Sequence, residues 1–440
     1  MLSAGELHER FQAVTHEHTR SPVPEAETVG GLQIAMICMG ITLTLPALYT
    51  GGELAAGLGL SRAVAAVVVG ALLLGLMSIP AAVVGMRTRL SSYMIIEHVY
   101  GRVGAKLVNL GFGVVLLGWY ALTAELFGRT LYLASLQLGV PEFPEWSWIV
   151  ASSALVTATT LFGFKAIDRL ALFAVPLLAL LLVGVMTRAL QLHGLAPLLA
   201  IAPGEMRFSQ AVSVVMGTMI VGVVLMPDFT RYARGLRDCL TASLLGNGGG
   251  VILATCLAMV PSLVYASLDP MSYLSALGAG SVVLAVLVFA TWTTNGANLY
   301  SIGLVVGSAS PRIGYGEIIL ATGLVGTLAA IVGVAEYLLA FLEILAFVVP
   351  PVAGVYLTRW FVLRRRDFDA ARLAARPAVV PAPMLATVIS ATLAALAWGY
   401  DWSLTGVVAF ESLLLAAALY LLLDRLLPEA GRGRAAELGR

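Results

Sequence analysis

The most polar stretch within the apolar part of the chain is the run TWTTNGANLYSIG at residues 291–303. It carries four closely spaced hydroxyl or amide side chains, those of Thr293, Thr294, Asn295 and Asn298. Such groups are costly to leave unpaired in hydrocarbon, so partners are expected for them. Hydrogen bonding between helices, or back to the same helix, is one explanation. The other is that paired threonine hydroxyls complete the oxygen shell of a small hard cation on which backbone carbonyls also converge.

Backbone carbonyls of this kind are predicted within residues 36–52, which read MICMGITLTLPALYTGG. Pro46 disfavours a continuous helix, and the residue before a proline is pushed out of the helical region of backbone conformation. The carbonyls from Gly40 to Leu43 then lose their partners within the helix and must face protein, water or an ion. A simple proline kink is the alternative explanation.

A second segment, SVVMGTMIVGVVLMPDFTRYARG at residues 213–235, repeats part of this pattern. The residues MGT at 216–218 echo MGIT at 39–42, and Pro227 follows downstream. Two interrupted segments five spans apart are typical of transporters built from inverted repeats. We therefore expect an interruption in this segment as well.

The composition indicates that these segments belong to a membrane protein. Of the 440 residues, 59% are hydrophobic and only 12% are charged, which lies well outside the range of soluble domains. The formal net charge of +1 argues against a nucleic-acid partner. All five histidines lie in predicted tails or loops and no HExxH or GxSxG motif is present, so the sequence does not predict an enzyme.

The number of spans follows from their length, since each crossing needs about 20 apolar residues. Twelve windows meet this requirement: 30–58, 62–86, 104–137, 147–164, 167–192, 208–230, 238–267, 280–307, 315–334, 337–361, 379–399 and 404–424. The sequence thus predicts an all-α integral membrane protein with twelve transmembrane helices. Spans 1–5 form a first repeat at residues 30–192, spans 6–10 form a second at 208–361, and two further helices occupy 379–427.

The charges of the connecting loops orient these spans. Alternate loops concentrate Lys and Arg, as in the run RRR at 364–366, while the loops between them are nearly bare of both. The positive-inside rule then places both termini in the cytoplasm. We expect a multi-pass protein of the cytoplasmic (inner) membrane, with cytoplasmic tails at 1–29 and 428–440 and a basic cytoplasmic linker at 362–378.

Acidic residues within the predicted spans are the remaining polar candidates. There are four of them: Glu53, Glu125, Glu343 and Glu411. A carboxylate that is central in the membrane and unpaired is costly, so such residues tend to have a function or a partner. Glu343 lies deeper in its span than Glu53 or Glu125 and is interpreted as a candidate gate or proton-carrying site.

Four runs carry a resemblance to a known family: TGG at 50–52, PDFTRYAR at 227–234, WTTNGANLYSIGL at 292–304 and PPVAGVYLTRWFVLRRRDF at 350–368. They resemble those of bacterial cytosine permeases, in the nucleobase:cation symporter family. The likeness extends from about residue 22 to residue 425, with a matching order of spans. It implies a leucine-transporter-like fold with two inverted five-helix repeats plus two C-terminal helices, working by alternating access.

The resemblance also implies a sodium site between the first and eighth spans. Its ligands would be the backbone carbonyls of Gly40, Leu43 and Ala290 and the hydroxyls of Thr293 and Thr294. This set coincides with the broken helix and the threonine pair described above. Sodium is the only ion expected, and no organic cofactor is implied.

Trp119 matches the family's aromatic residue that stacks on the substrate base. The remaining pocket positions depart from cytosine permeases, which have Gln at Leu116, Phe at Met219, Asn at Ala290 and Phe at Thr44. The polar groups expected nearby are those of Thr44, Thr123, Thr218 and Asn298. Loss of the glutamine amide suits a larger or less polar ring than cytosine, such as a substituted pyrimidine, a purine, a hydantoin or a vitamin precursor.

The sequence therefore predicts a sodium-coupled symporter that imports a small planar nitrogen heterocycle and functions as a monomer. A proton-coupled symporter that uses Glu343 is the nearest alternative. A membrane sensor or a channel is a third, although the polar loops are too short to form a signalling domain.

Overall fold

The computed structural model describes residues 21–140, 143–162, 165–270, 272–273, 280–309, 313–364 and 368–427. Most of the N-terminal tail and the whole C-terminal tail expected from the sequence lie outside these residues, as do positions 365–367 of the basic linker. The described part of the chain is helical, apart from one isolated parallel bridge between Val29 and Ala233.

The first half of the chain forms α1 (Gly31–Thr42), α2 (Leu45–Leu58), α3 (Leu60–Thr88), α4 (Ser92–Tyr100), α5 (Arg102–Gln137), α6 (Glu145–Phe162), α7 (Lys165–His193), α8 (Ala196–Leu199), α9 (Phe208–Val224) and α10 (Pro227–Thr230). The second half forms α11 (Leu236–Thr241), α12 (Gly250–Tyr265), α13 (Gly280–Ala309), α14 (Tyr315–Val332), α15 (Leu338–Val348), α16 (Pro350–Thr358), α17 (Pro381–Gly399) and α18 (Val408–Leu426). Short 3-10 helices cover Glu25–Glu27, Val334–Tyr337 and Ala370–Ala375, and π-helical turns cover Ala242–Gly249 and Arg359–Leu363.

These helices form a multi-pass bundle. Among the described residues, seven helices are long and apolar enough to cross a bilayer, or eight if the bent pair α1–α2 counts as one span. Two of the seven are composite: Leu236–Tyr265 runs through the π-helical turn, and Val334–Leu363 contains α15 and α16. The larger count of twelve stays a prediction. Large apolar side chains point outward, as at Leu180, Leu324 and Val332, where a lipid environment would cover them.

The predicted break in the first span is confirmed. α1 ends at Thr42, α2 begins at Leu45, and the two helices are bent by 68° at the junction. Thr44 has an extended backbone, with φ −129° and ψ 160°. Pro46 falls in the first turn of α2, a position where its missing amide hydrogen leaves no helical bond unmade. The proline therefore starts a new helix rather than kinking one.

In the sixth span the interruption lies downstream of the MGT echo. α9 runs without a break through Met216, Gly217 and Thr218 to Val224, and the chain turns only before Pro227. Gly217 serves a different purpose, because a Cβ there would collide with the carbonyl oxygen of Leu342. The glycine thus allows α9 and α15 to approach closely, and the interruption expected in this segment lies beyond it, between Val224 and Pro227.

Gly217→Ala is therefore expected to destabilise the fold, by about 1–3 kcal/mol, since overpacking against backbone is hard to relieve. Gly184→Ala in α7 is the matched control, because its added Cβ would meet nothing within 4 Å. Thermal unfolding of the purified variants measures the difference. Equal melting temperatures for the two variants would contradict the close approach of α9 and α15.

Two groups of packed helices, here called the first and second units, carry the predicted site residues. The first unit comprises α1, α2, α3, α9, the π-helical turn Ala242–Gly249 and α12. The second unit comprises α5, α6, α13 and α14. α7 packs against members of both, and α15 packs mainly on α9. Direct contact between the two units is limited, and one of the places where it occurs is between α2 and α5.

Candidate functional site

The break between α1 and α2 releases backbone carbonyls. The amide of Leu43 donates to the Met39 oxygen at 3.1 Å, and the amide of Thr44 donates to the Thr42 oxygen at 3.0 Å. In the described part of the chain, no backbone N–H donates to the carbonyls of Gly40 or Leu43 across this junction. Carbonyls without a helical partner must find one in water, protein or an ion. Two of the predicted cation ligands are therefore available.

The eighth span brings together the other three predicted ligands. The hydroxyls of Thr293 and Thr294 on α13 both donate to the carbonyl oxygen of Ala290, each at 2.9 Å. These are hydrogen bonds back to the same helix. Because each hydroxyl hydrogen is engaged in this way, the oxygen lone pairs remain free to face a cation. Hydrogen bonding to the helix and cation binding are thus compatible at this threonine pair.

The two groups of ligands belong to different units. Among the described residues, α13 has little direct packing on α1 or α2, whereas it packs extensively on α5 and α7. Leu43 and Ala290 are nevertheless both buried in the main apolar core. α5 contacts α2 as well as α13, so it connects the two sides of the predicted site.

Trp119 lies on α5, the helix that connects the two sides. Its ring is half-buried against the main core and makes an edge contact with Phe341 of α15, with centroids 5.3 Å apart and planes at 79°. Thr123, one turn further along α5, is buried. Sequence reasoning did not include Phe341, and an aromatic residue within an apolar span gives no local signal of such a contact. The ring face of Trp119 is held in orientation by this neighbour.

The other predicted pocket residues are distributed less compactly. Leu116 packs against a separate apolar cluster that contains Leu299 and Ile302. Met219 is buried in the main core. The hydroxyl of Thr218 is half-buried and donates to the Val215 oxygen at 2.6 Å. Thr44, at the helix break, is also half-buried.

Two asparagines of α13 have amides available for a ligand. Asn298 is half-buried and follows Thr294 by one turn, which places it on the same face of the helix. Asn295 is fully buried, and neither polar atom of its side chain has a hydrogen-bond partner within the described residues. A buried amide without a partner is destabilising, so a functional reason for it is expected. The sequence singled out Asn295 as polar but did not place it in the pocket.

The acidic residues mostly serve as structural acceptors. Glu343 is buried, and its Oε2 accepts a hydrogen bond from Nε1 of Trp398 on α17 at 3.1 Å. Glu125 accepts from the Ala335 amide at 2.7 Å, and Glu411 accepts from the Ser403 hydroxyl at 2.8 Å. The predicted gate or proton-carrying role of Glu343 stays a prediction.

The broken first span and the exposed apolar side chains of the described helices are typical of a multi-pass membrane transporter. Residues 22–380 match the family described as permeases for cytosine/purines, uracil, thiamine and allantoin, and the chain belongs to this family. It is 26% identical to cytosine permease of Escherichia coli (strain K12) over 418 residues, which cover 93% of this chain and 94% of that one. A hydantoin permease of Microbacterium maritypicum is 28% identical over 246 residues, half of each chain. The chain is accordingly a permease and not an enzyme.

Solved structures confirm the fold. The inward-facing conformation of Mhp1 has a TM-score of 0.79 at 19% identity, covering 92% of each chain. Mhp1 in a closed conformation with bromovinylhydantoin bound, described as a nucleobase-cation-symport-1 family transporter, has a TM-score of 0.78 at 18% identity, covering 95% of this chain and 98% of that one. A sodium-coupled sialic acid symporter has a TM-score of 0.64 at 15% identity, covering 94% and 93%. The leucine-transporter-like architecture expected from the sequence is thus confirmed.

Proposed function

We propose that this permease is a sodium-coupled symporter that imports a planar nitrogen heterocycle across the cytoplasmic membrane, as a monomer with both termini in the cytoplasm. Two observations support the proposal: the helix break frees the carbonyls of Gly40 and Leu43, and the hydroxyls of Thr293 and Thr294 keep their lone pairs free because their hydrogens are donated to the Ala290 carbonyl. Neutral oxygen ligands of this kind suit a small hard cation. A proton would need a titratable group instead, and none belongs to this set.

The position of the ligands on separate units suggests how ion and substrate are coupled. A sodium ion that binds carbonyls of the first unit and hydroxyls of the second would hold the two units together. Trp119 lies on α5, a helix of the second unit that also contacts α2 of the first, so its ring would then be fixed for stacking. The ion would bind first and prepare the pocket for the heterocycle.

The pocket favours a ring that is larger or less polar than cytosine. Leu116 and Met219 offer no hydrogen bonds, and the amides of Asn295 and Asn298 are polar groups that could bind the ring beside the predicted threonine hydroxyls. Substituted pyrimidines, purines, hydantoins and vitamin precursors fit this description. The hydantoin permease among the relatives and the hydantoin bound to Mhp1 support the same range of substrates.

Exchange in proteoliposomes tests the proposal. Purified protein is first screened by thermal shift against nucleobases, hydantoins and thiamine-related pyrimidines, with and without sodium, because a ligand stabilises the state it binds. A compound that raises the melting temperature is then labelled, and its uptake into proteoliposomes loaded with the unlabelled compound is measured (counterflow). We expect sodium-dependent accumulation against unlabelled compound inside. A channel would show no accumulation, and a sensor would show binding without exchange.

Glu343→Gln separates sodium coupling from proton coupling. The amide oxygen of the glutamine can still accept the Trp398 hydrogen bond, so the fold should be preserved. We expect sodium-dependent uptake to stay within about threefold of the unaltered protein, which is under 1 kcal/mol. Initial uptake rates at varied sodium and at two pH values measure this. The proton-coupled alternative would be established by two results together: uptake by the unaltered protein follows the proton gradient and not the sodium gradient, and uptake is lost in Glu343→Gln.

A further inference from the structure

The N-terminus of α1 is attached to the start of the seventh span through one carboxylate. Oδ1 of Asp238, on α11, accepts a hydrogen bond from the Gly31 amide at 2.7 Å. Oδ2 of the same side chain accepts from the Arg234 amide at 3.1 Å, which fixes the carboxylate in place. Gly31 is the first residue of α1, so its amide has no acceptor within the helix. The carboxylate also interacts favourably with the positive end of the helix dipole.

A backbone contact supports the same attachment. The Val29 amide donates to the Tyr232 oxygen at 2.8 Å, within the parallel bridge that joins Val29 to Ala233. The approach at Gly31 is close, because a Cβ there would lie 2.5 Å from Cα of Asp238. α1 is thus held at its first residue by groups of the loop and helix that follow the sixth span.

The opposite end of α1 carries the predicted cation ligands. The helix has 12 residues, and it therefore spans about 18 Å at 1.5 Å per residue. Gly40 and Leu43 lie at its C-terminal end, where the chain bends by 68° into α2. α1 is therefore positioned by what holds its N-terminal end, together with its packing on the turn Ala242–Gly249, on α11 and on α12.

We infer that Asp238 is a positioning residue that holds α1 against the π-helical turn and thereby sets the position of the Gly40 and Leu43 carbonyls. The part of this inference that concerns cation binding rests on the proposed function. The attachment of α1 does not rest on the proposed function. If Asp238 holds α1, loss of its carboxylate should let α1 move away from the π-helical turn, whether or not a cation binds. Neither Asp238 nor Gly31 belongs to the cation or substrate residues considered above.

Cys38 reports on this movement. Its side chain is buried on α1, against Gly246 of the π-helical turn. Cys256, on α12, is half-buried and lies outside α1, so it serves as an internal control. Purified full-length protein in detergent is treated with a maleimide, and modification of each cysteine is followed by mass spectrometry of its peptide.

We expect Asp238→Ala to raise the rate of Cys38 modification about tenfold or more, with the Cys256 rate unchanged, because a hydrogen bond to a charged group shifts a two-state population by that amount. Asp238→Asn keeps one acceptor oxygen and should restore most of the protection. Asp369→Ala is the matched control, since Asp369 also accepts from a backbone amide, that of Ala371, at a turn away from α1. It should leave both rates unchanged.

Two results would overturn the inference: a Cys38 rate in Asp238→Ala equal to that of the unaltered protein, or an equal acceleration at Cys256, which would indicate general loosening. If Asp238→Ala does not yield folded protein, Asp238→Ser, which removes the carboxylate but keeps a polar side chain, is judged by the same comparison. A second measurement is the sodium concentration that gives half of the maximal thermal stabilisation, expected to rise about tenfold in Asp238→Ala. If sodium stabilises neither the unaltered protein nor any variant, the proposed sodium coupling is wrong. The modification rates of Cys38 and Cys256 still test whether Asp238 holds α1.

Discussion

Thr294→Ala is expected to abolish sodium-dependent uptake, whereas Thr291→Ala on the same helix should leave it intact. Both threonines donate to the carbonyl four residues earlier, Thr294 to Ala290 at 2.9 Å and Thr291 to Leu287 at 2.8 Å. The two substitutions therefore remove the same kind of hydrogen bond from the same helix. Only Thr294 also provides an oxygen beside Thr293 and Ala290, so a difference between the variants reports on the cation.

The expected difference is large because the proposed sodium site has few oxygen ligands, so each contributes much of the affinity. We expect the sodium concentration for half-maximal uptake to rise by about 100-fold or more in Thr294→Ala, corresponding to about 2.7 kcal/mol. Initial rates in proteoliposomes over a wide range of sodium measure it, and sodium-dependent thermal stabilisation provides a reading that does not require transport. Equal sodium dependence in Thr294→Ala and Thr291→Ala would remove the threonine pair from the coupling site.

Local residue chemistry was sufficient to predict the break in the first span. Pro46 lacks an amide hydrogen and restricts the residue before it, and both are properties of the dipeptide itself. In the sixth span, local residue chemistry was not sufficient to explain Gly217. Gly217 faces the carbonyl of Leu342, so glycine is required at this position by a close contact with another span. A local pattern could not distinguish a glycine at a break from one at a close contact.

The candidate site likewise contains residues that local sequence predicts and residues that depend on contacts between distant parts of the chain. The adjacent positions of Thr293 and Thr294 follow from the sequence of one helix, and both hydroxyls donate to the carbonyl of Ala290, which the family resemblance had implied as a ligand. Phe341 against Trp119 joins residues far apart in the chain, as does Asp238 with Gly31. Each of these contacts depends on how whole helices are arranged. The sequence alone therefore predicts the ligand types more fully than the residues that orient them.

The orienting residues matter because the predicted ligands lie on two different units, whose relative placement they affect. The first unit carries α1 with its freed carbonyls, and the second carries α13 with its threonine pair. An ion that needs oxygens from both binds only when the units are correctly placed, so a small displacement of either weakens binding. Substrate binding and ion binding would then favour the same arrangement, and each would increase the affinity for the other.

Trp119→Leu is expected to lower substrate affinity by about 5- to 150-fold, which corresponds to loss of about 1–3 kcal/mol of stacking between a planar base and an aromatic ring. Leucine retains apolar contact with the core but presents no flat face to a heterocycle. The edge contact with Phe341, at 5.3 Å between centroids, would be lost as well. Binding of labelled substrate at saturating sodium measures the affinity.

Trp292→Leu is the matched control for this substitution. Trp292 lies on α13 in the other apolar cluster, and its Nε1 donates to the Thr159 hydroxyl at 3.0 Å. Its removal should lower thermal stability while substrate affinity stays within about twofold, under half a kcal/mol. The reverse pattern, with affinity lost at Trp292 and kept at Trp119, would place the substrate between α13 and α6. The pocket would then belong to the second unit alone, and sodium bound between the units could not prepare it.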